Sequence, residues 1–402
     1  MKLYFTLLSI AFCFFLGKIS AQNPAQSPYD NAKITLAAER FDMYRHFLAN
    51  KKVALVVNHS SYVGDEHLVD FLLHKNVQIS KIFAPEHGFR GTADAGEKVS
   101  SSIDETTKLP VISLYGSNKK PQAKDLADVD VLIFDIQDVG VRFYTYISTM
   151  HYILEAAAEN HKKCIVLDRP NPNGFYVDGP VLNKAYASFV GMHPIPVVHG
   201  LTVGELACMI NEEAWLNNGV ACDLEVIPCL GYTHSSYYEL PIAPSPNLPN
   251  MKAIYLYPSL CFFEGTNVSV GRGTDFPFQL IGYPNNKNGN YTFTPKPNFG
   301  SKHPPFEGEI CEGDLLNKLN ISQLQNEKGL ILSYLLQYYQ QYANQNKFFL
   351  DNLFFDKLAG TDALRKQIIA GKDEESIRQT WQDDLTVYKK LRKKYLIYPD
   401  FE

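Results

Sequence analysis

Seven short runs of almost unbroken apolar residues dominate the first two thirds of the chain: Val53-Ala54-Leu55-Val56-Val57, Ile79 to Phe83, Val111 to Leu114, Val131-Leu132-Ile133-Phe134, Cys164 to Leu167, Pro196 to Val198 and Leu224 to Ile227. They do not alternate apolar with polar, so each reads as a strand covered on both faces. Helical patterns over 65–74, 146–160 and 202–216 fill several of the gaps. Strand and helix in alternation predict an α/β fold, a Rossmann-like, doubly wound, mostly parallel sheet.

With 402 residues, two domains are expected. Met1-Lys2, the apolar stretch from Leu3 to Gly17 and Ile19-Ser20-Ala21 read as a cleavable secretory signal over residues 1–21, so the expected protein is exported, periplasmic or secreted, without stable membrane insertion. The Rossmann-like domain is expected over 22–250. Pro241, Pro244, Pro246 and Pro249 mark a connector, and a smaller α+β domain follows over 251–402, with the active-site cleft between the two. In that second part, Phe262 to Asp275 reads as a strand-like segment, Tyr283 to Pro305 as irregular loop, and helices are expected over 329–345, 363–370 and 373–394.

A formal charge of −5 and a pI near 6.1 argue against nucleic acid as a partner. The six cysteines beyond the leader are irregularly spaced and form no CxxC, so buried thiols are expected. No GxGxxG, P-loop, GxSxG or HExxH occurs, so no cofactor and no metal are expected.

In open parallel sheets ligands bind at the carboxyl ends of the strands. Those ends carry Asn58-His59-Ser60, Pro85-Glu86-His87-Gly88, Asp135-Ile136-Gln137-Asp138, Asp168-Arg169-Pro170-Asn171 and His199-Gly200. Ala84 to Gly91, Asp135 to Tyr146, Asp168 to Pro172, Ser245-Pro246-Asn247-Leu248-Pro249, and Glu264-Gly265-Thr266-Asn267 with Gly271-Arg272-Gly273-Thr274 resemble the exo-β-N-acetylmuramidase NamZ family, formerly a domain of unknown function. The resemblance runs from about Phe41 to the C-terminus. It implies a glycoside hydrolase that removes N-acetylmuramic acid from the non-reducing end of peptidoglycan-derived fragments, with muramyl saccharides or muropeptides as partners. A Rossmann-like domain and a smaller domain around a cleft are implied as well.

Glycoside hydrolysis needs a protonated carboxyl at the leaving oxygen and, in most families, a second carboxylate. Glu86 follows a strand in a loop fixed by Pro85 and Gly88, and the family motif points to the same glutamate, so it is the candidate general acid; His87 beside it orients it or binds hydroxyls. Asp135, Asp138 and Glu264 compete for the second role, unless the substrate's own acetamido oxygen attacks. The lactyl carboxylate of muramic acid suits the planar fork of an arginine, for which Arg90, Arg142, Arg169 and Arg272 are candidates. Tyr144 is a candidate for stacking on a sugar ring; Asn58, Asp168, Asn171, Asn173, His199, Asn247 and Thr274 complete the expected binding set. Glu205 belongs instead to a capping box, Thr202-Val203-Gly204-Glu205. A metal-dependent hydrolase built on Glu86, His87, His59 and Asp135, and a sugar-binding protein without catalysis, are the rival readings.

Overall fold

A computed structural model describes residues 29–31, 34–85, 89 and 102–402. The expected leader, and with it Glu86, His87 and Arg90, lie outside the described residues. The strands are β1 (Val53–Val57), β2 (Tyr62–Val63), β3 (Glu66–His67), β4 (Ile79–Ala84), β5 (Ser102–Ile103), β6 (Pro110–Ser113), β7 (Val131–Asp135), β8 (Lys163–Leu167), β9 (Asp223–Ile227), β10 (Leu280–Pro284), β11 (Tyr291–Phe293) and β12 (Cys311–Leu315). The helices are α1 (Phe41–Leu48), α2 (Leu68–His74), α3 (Ala123–Leu126), α4 (Tyr146–Glu159), α5 (Val203–Glu212), α6 (Met251–Leu260), α7 (Ile321–Glu327), α8 (Ser333–Gln341), α9 (Phe354–Ala359), α10 (Ala363–Ile369), α11 (Glu374–Gln379) and α12 (Gln382–Arg392).

The main sheet runs β5-β6-β4-β1-β7-β8-β9, and all its pairs are parallel except β5 with β6. Its parallel part has the doubly wound order, β4 and β6 laid one way from β1, and β7, β8 and β9 the other, so the chain reverses between β1 and β7. Every residue of β1 is fully buried. Val53, Leu55 and Val57 pack with Tyr44, Leu48, Leu68 and Leu72 from α1 and α2, whereas Ala54 and Val56 face the side of Ile147, Met150, Leu206 and Ile210 from α4 and α5. Helix cover on both faces is why the run shows no polar alternation.

The second domain is built on a three-stranded antiparallel sheet, β10-β12-β11, with helices α7 to α12. The α4/α5 core continues into it without a break through Phe143, Tyr257, Phe262 and Phe278. Among the described residues no helix is long and apolar enough to cross a membrane. Cys208 is half-buried and the other described cysteines are buried free thiols.

Several expected elements differ. The 196–198 run is no sheet strand: Val198 makes single bridges to Val141 and Asp178, because Pro194 and Pro196 remove the donors a ladder needs. Over 65–74 the helix starts only at Leu68, after the β2/β3 hairpin, where His67 Nδ1 accepts the Val69 N–H. The Phe262–Asp275 segment is not a strand but begins as a 3-10 turn, Cys261–Gly265, that continues α6. Within the expected loop after Tyr283 lies β11, whose Tyr-Thr-Phe favours strand between two asparagine- and proline-rich turns. The 373–394 helix is two helices, interrupted where Thr380 bonds back to the Ile377 carbonyl and Trp381 turns into the core.

Helix α6 was hidden by its own composition. Asn250 caps it, accepting the Ala253 N–H at 3.0 Å, but Pro258 within it reads as a breaker. Pro258 frees the Ile254 carbonyl four residues back, and that oxygen accepts from Asn173 Nδ2 at 3.4 Å.

Candidate active site

A pocket of 190 Å³ opens where the two domains meet. It is lined by Phe143, Tyr144, Thr145, Val190, Ser245, Asn247 and Leu248 from the first domain and Tyr257, Glu264, Arg272 and Phe278 from the second. Four sequence-derived candidates therefore converge: Tyr144, Asn247, Glu264 and Arg272. Glu264 sits in the turn that prolongs α6, and Arg272 in the tight Gly271–Thr274 turn, where Thr274 donates its hydroxyl to the Gly271 carbonyl at 2.6 Å and accepts the Phe276 N–H at 3.0 Å. Thr274 thus shapes the turn that presents Arg272.

Arg272 Nε donates to Glu264 Oε1 at 2.6 Å, with both side chains 23% exposed. The Cys261 thiol is 3.5 Å from Glu264 Oε2. Beneath the guanidinium lies the Phe278 ring, 5.1 Å from it, and Tyr257 meets that ring edge-on at 4.9 Å. Burial works against the Arg272 charge, but the Glu264 carboxylate outweighs it and raises the guanidinium's hold on its proton. Among the described residues the Arg272 terminal nitrogens donate no hydrogen bond to the protein. Tyr257 and Phe278 were not expected here; the signal for Tyr257 was the apolar pattern of α6, masked by Pro258, and Phe278 lies beyond that helix in a stretch crowded with turn residues.

The segment Pro241–Asn247 borders this pocket and is pinned by hydrogen bonds from two sides. His59 Nε2 meets the Ala243 carbonyl at 2.8 Å, and Tyr144 donates its hydroxyl to the Pro244 carbonyl at 2.8 Å. The same segment borders a second cavity, of 460 Å³, at the carboxyl ends of β1 and β8, lined among others by Ser60, Tyr62, Arg169, Tyr238, Pro241 and Ile242. The described end of β4, Ala84, lies next to β1 and stands two positions before Glu86 in the sequence.

Most of the remaining candidates are turned inward by their hydrogen bonds. Arg142 is fully buried and donates to the carbonyls of Pro180 (2.8 Å), Ile195 (2.7 Å) and Leu358 (2.9 Å), so it clamps the two domains from within. Asp135 is paired with Arg169 through Nε (2.6 Å) and Nη2 (2.8 Å). Asp168 accepts the Thr202 hydroxyl, the Gly204 N–H and the Tyr398 hydroxyl, and burial pushes its carboxyl up to about 6. Asn58 closes a turn on Ser60. Asn171 holds the Leu201 carbonyl and the Asn173 N–H, lying where any Cβ on Gly140 would fall, which is why position 140, at φ +75°, is glycine. Asn173 serves the Val139 and Ile254 carbonyls.

Asp138 and His199 form a buried couple 3.9 Å apart. Burial raises the Asp138 carboxyl to about 7 and lowers the His199 imidazole to about 3. The capping box forms as expected: Thr202 N–H to Glu205 Oε2 at 2.9 Å and Glu205 N–H to Thr202 Oγ1 at 3.2 Å, while Glu205 Oε1 also takes His234. Among the described residues no three His, Cys, Asp or Glu side chains group so as to hold a metal ion.

Fold and pocket together define a two-domain α/β protein with a polar, ion-paired pocket at the junction. Residues 53–252 match the N-terminal domain, and 255–398 the C-terminal domain, of exo-β-N-acetylmuramidase NamZ; the chain belongs to that family and is a glycoside hydrolase. It is 40% identical over 379 residues to the peptidoglycan β-N-acetylmuramidase NamZ of Bacillus subtilis strain 168, covering 88% of this chain and 89% of that one. Two crystal structures of DUF1343 family proteins from Bacteroides fragilis share the fold. One has 48% identity and a TM-score of 0.85, the other 30% and 0.75, each covering 91% of this chain and 99% of its own.

Proposed function

We propose that this protein releases N-acetylmuramic acid from the non-reducing end of peptidoglycan-derived fragments, with Glu86 as general acid. The observation that carries the reading is the open Glu264–Arg272 pair in the interdomain pocket, because it offers a carboxylate and an uncommitted guanidinium edge side by side. In this mechanism Glu86 hands its proton to the leaving oxygen as the glycosidic bond breaks, and positive charge grows on the anomeric carbon. Glu264 supplies the second carboxylate, since Asp135 and Asp138 are committed to buried partners and it alone of the three lines the pocket. Arg272 keeps Nε on Glu264 and turns its terminal nitrogens to the lactyl carboxylate, a geometry lysine cannot reproduce. Asn247 and Tyr144 contact hydroxyls and ring. Export directed by residues 1–21 brings the enzyme to its substrate, and a purified mature protein beginning at Gln22 is the expected product.

The test is a chromogenic β-N-acetylmuramide offered to wild type and to Glu86→Gln. Wild type is expected to release N-acetylmuramic acid and the variant to lose turnover while unfolding at the same temperature. An unchanged rate in the variant removes Glu86 from the mechanism.

A further inference from the structure

A turn hydrogen-bonded to the wall of the interdomain pocket carries an exposed aromatic ring, Phe299. Phe299 is 57% exposed and belongs to none of the buried apolar clusters among the described residues. It stands at the tip of a turn closed by Asn298 N–H to Ser301 O at 2.9 Å and Ser301 N–H to Asn298 O at 3.1 Å. Asn298 Oδ1 stiffens the same turn by accepting the N–H groups of Gly300 (3.1 Å) and Ser301 (2.9 Å). A single exposed aromatic side chain means nothing by itself. The anchoring of this one gives it meaning.

On one side the Gly300 carbonyl accepts from Asn247 Nδ2 at 2.5 Å, and a Cβ on Gly300 would lie 2.9 Å from Asn247 Oδ1, so glycine permits the approach. On the other side Lys296 N–H reaches the Gly273 carbonyl at 2.9 Å and Asn298 Nδ2 the Thr274 carbonyl at 3.5 Å, flanking Arg272. Asn247 and Arg272 both line the pocket. The segment from Lys296 to Ser301 therefore bridges pocket-lining elements of the two domains, and Phe299 stands one residue before the glycine that touches Asn247.

The pocket, at 190 Å³, is smaller than the ~300–1,000 Å³ usual for a ligand site, so a saccharide of more than one unit has to extend past its mouth. We propose that Phe299 is the stacking platform for the sugar ring on the leaving side of the scissile bond, an N-acetylhexosamine in its closed pyranose form. This rests on the muramidase reading above. A β-linked pyranose with equatorial substituents presents a face of C–H bonds, which packs on the electron-rich face of a phenyl ring; an opened sugar chain presents none.

The experiment compares N-acetylmuramyl-β-1,4-N-acetylglucosamine with the same disaccharide after borohydride reduction, which opens the second ring and leaves the scissile bond intact. KM and kcat are measured for wild type, Phe299→Ala, Phe299→Leu and Phe299→Trp. Wild type is expected to show a KM roughly five- to tenfold lower for the cyclic than for the reduced substrate, Phe299→Ala less than about twofold, and Phe299→Trp the wild-type preference restored. Phe299→Leu, apolar but without a π face, is expected to follow Ala. A preference retained in Phe299→Ala, or absent from wild type, overturns the platform and leaves the muramidase reading standing. A wild type that cleaves neither disaccharide overturns both.

Discussion

Among the described residues, two arginines meet a carboxylate through the same contact, Nε to oxygen at 2.6 Å: Arg169 with Asp135, and Arg272 with Glu264. The first pair is sealed, its side chains 3% and 0% exposed, and Arg169 Nη2 is spent on the second Asp135 oxygen and on the Tyr62 carbonyl. In the second pair the guanidinium holds its partner by one nitrogen and keeps its outer edge free at a pocket. Identical chemistry thus serves two ends. Where the carboxylate takes two guanidinium nitrogens and both side chains are buried, the pair fixes the strand ends; where the terminal nitrogens donate to nothing among the described residues, the pair is open to a ligand.

The largest expected effect separates the two pairs by activity. Glu264→Gln keeps shape and the Arg272 contact but removes the negative charge, and turnover of a chromogenic β-N-acetylmuramide is expected to fall about 10²–10⁴-fold, with the unfolding midpoint close to wild type. Turnover within threefold of wild type would assign the second role elsewhere and make the two pairs alike.

The sealed pair makes the opposite prediction. Asp135→Asn leaves the Arg169 guanidinium buried without its counter-charge, and urea denaturation is expected to show a loss of about 3–5 kcal/mol. A loss below about 1 kcal/mol would mean that water reaches the pair and that the distinction drawn from exposure fails.

Asp138 sharpens the comparison through pH, since it is buried with no arginine partner among the described residues. Its carboxyl titrates near 3.8 when the chain is unfolded and near 7 when folded, because burial disfavours the charge. Below about pH 4 both states hold the proton. Between there and pH 7 only the folded state keeps it, so folding stability contributed by this group falls as pH rises through the window. Relative to Asp138→Asn, which has no proton to lose, wild type is expected to weaken by about 2–4 kcal/mol between pH 4 and pH 8. Parallel stability curves for the two proteins would show that the carboxyl ionises as readily folded as unfolded.

The parallel sheet was readable because a strand covered on both faces is apolar along its buried run, as β1 is throughout and as β7 and β8 are apart from Asp135 and Lys163 at their ends, while β4 admits Ser80 and Lys81. Its polar ends were equally readable as a region. Which of those polar residues meet a ligand was not, because Arg142 and Arg272, or Asn173 and Asn247, differ only in what the rest of the chain brings to them. Asn173 is required by a carbonyl that Pro258 frees 81 residues away in sequence, and no local spacing encodes that. Phe299 was hidden for the converse reason: it lies in a proline- and asparagine-rich stretch that reads as loop, and only its two anchors give it a place.

The smallest effect probes how the C-terminus reaches the sheet. Tyr398 donates its hydroxyl to Asp168 Oδ2 at 2.6 Å and accepts the Cys229 N–H at 2.8 Å, while Asp168 also gathers Thr202 and Gly204 at the start of α5. One buried hydroxyl therefore joins the end of β8, the helix start and the last residues of the chain. Tyr398→Phe keeps the ring and its edge-on contact with Tyr232 at 4.9 Å but strips one donor from Asp168 and leaves the Cys229 N–H unmatched, for an expected loss of about 1–2 kcal/mol. The hydroxyl is among the groups that favour the charged form of Asp168, so its removal raises that carboxyl further, and the loss is expected to be larger at pH 8 than at pH 5. Equal losses at the two pH values would show that the Tyr398 hydroxyl contributes through its hydrogen bonds without biasing the charge on Asp168.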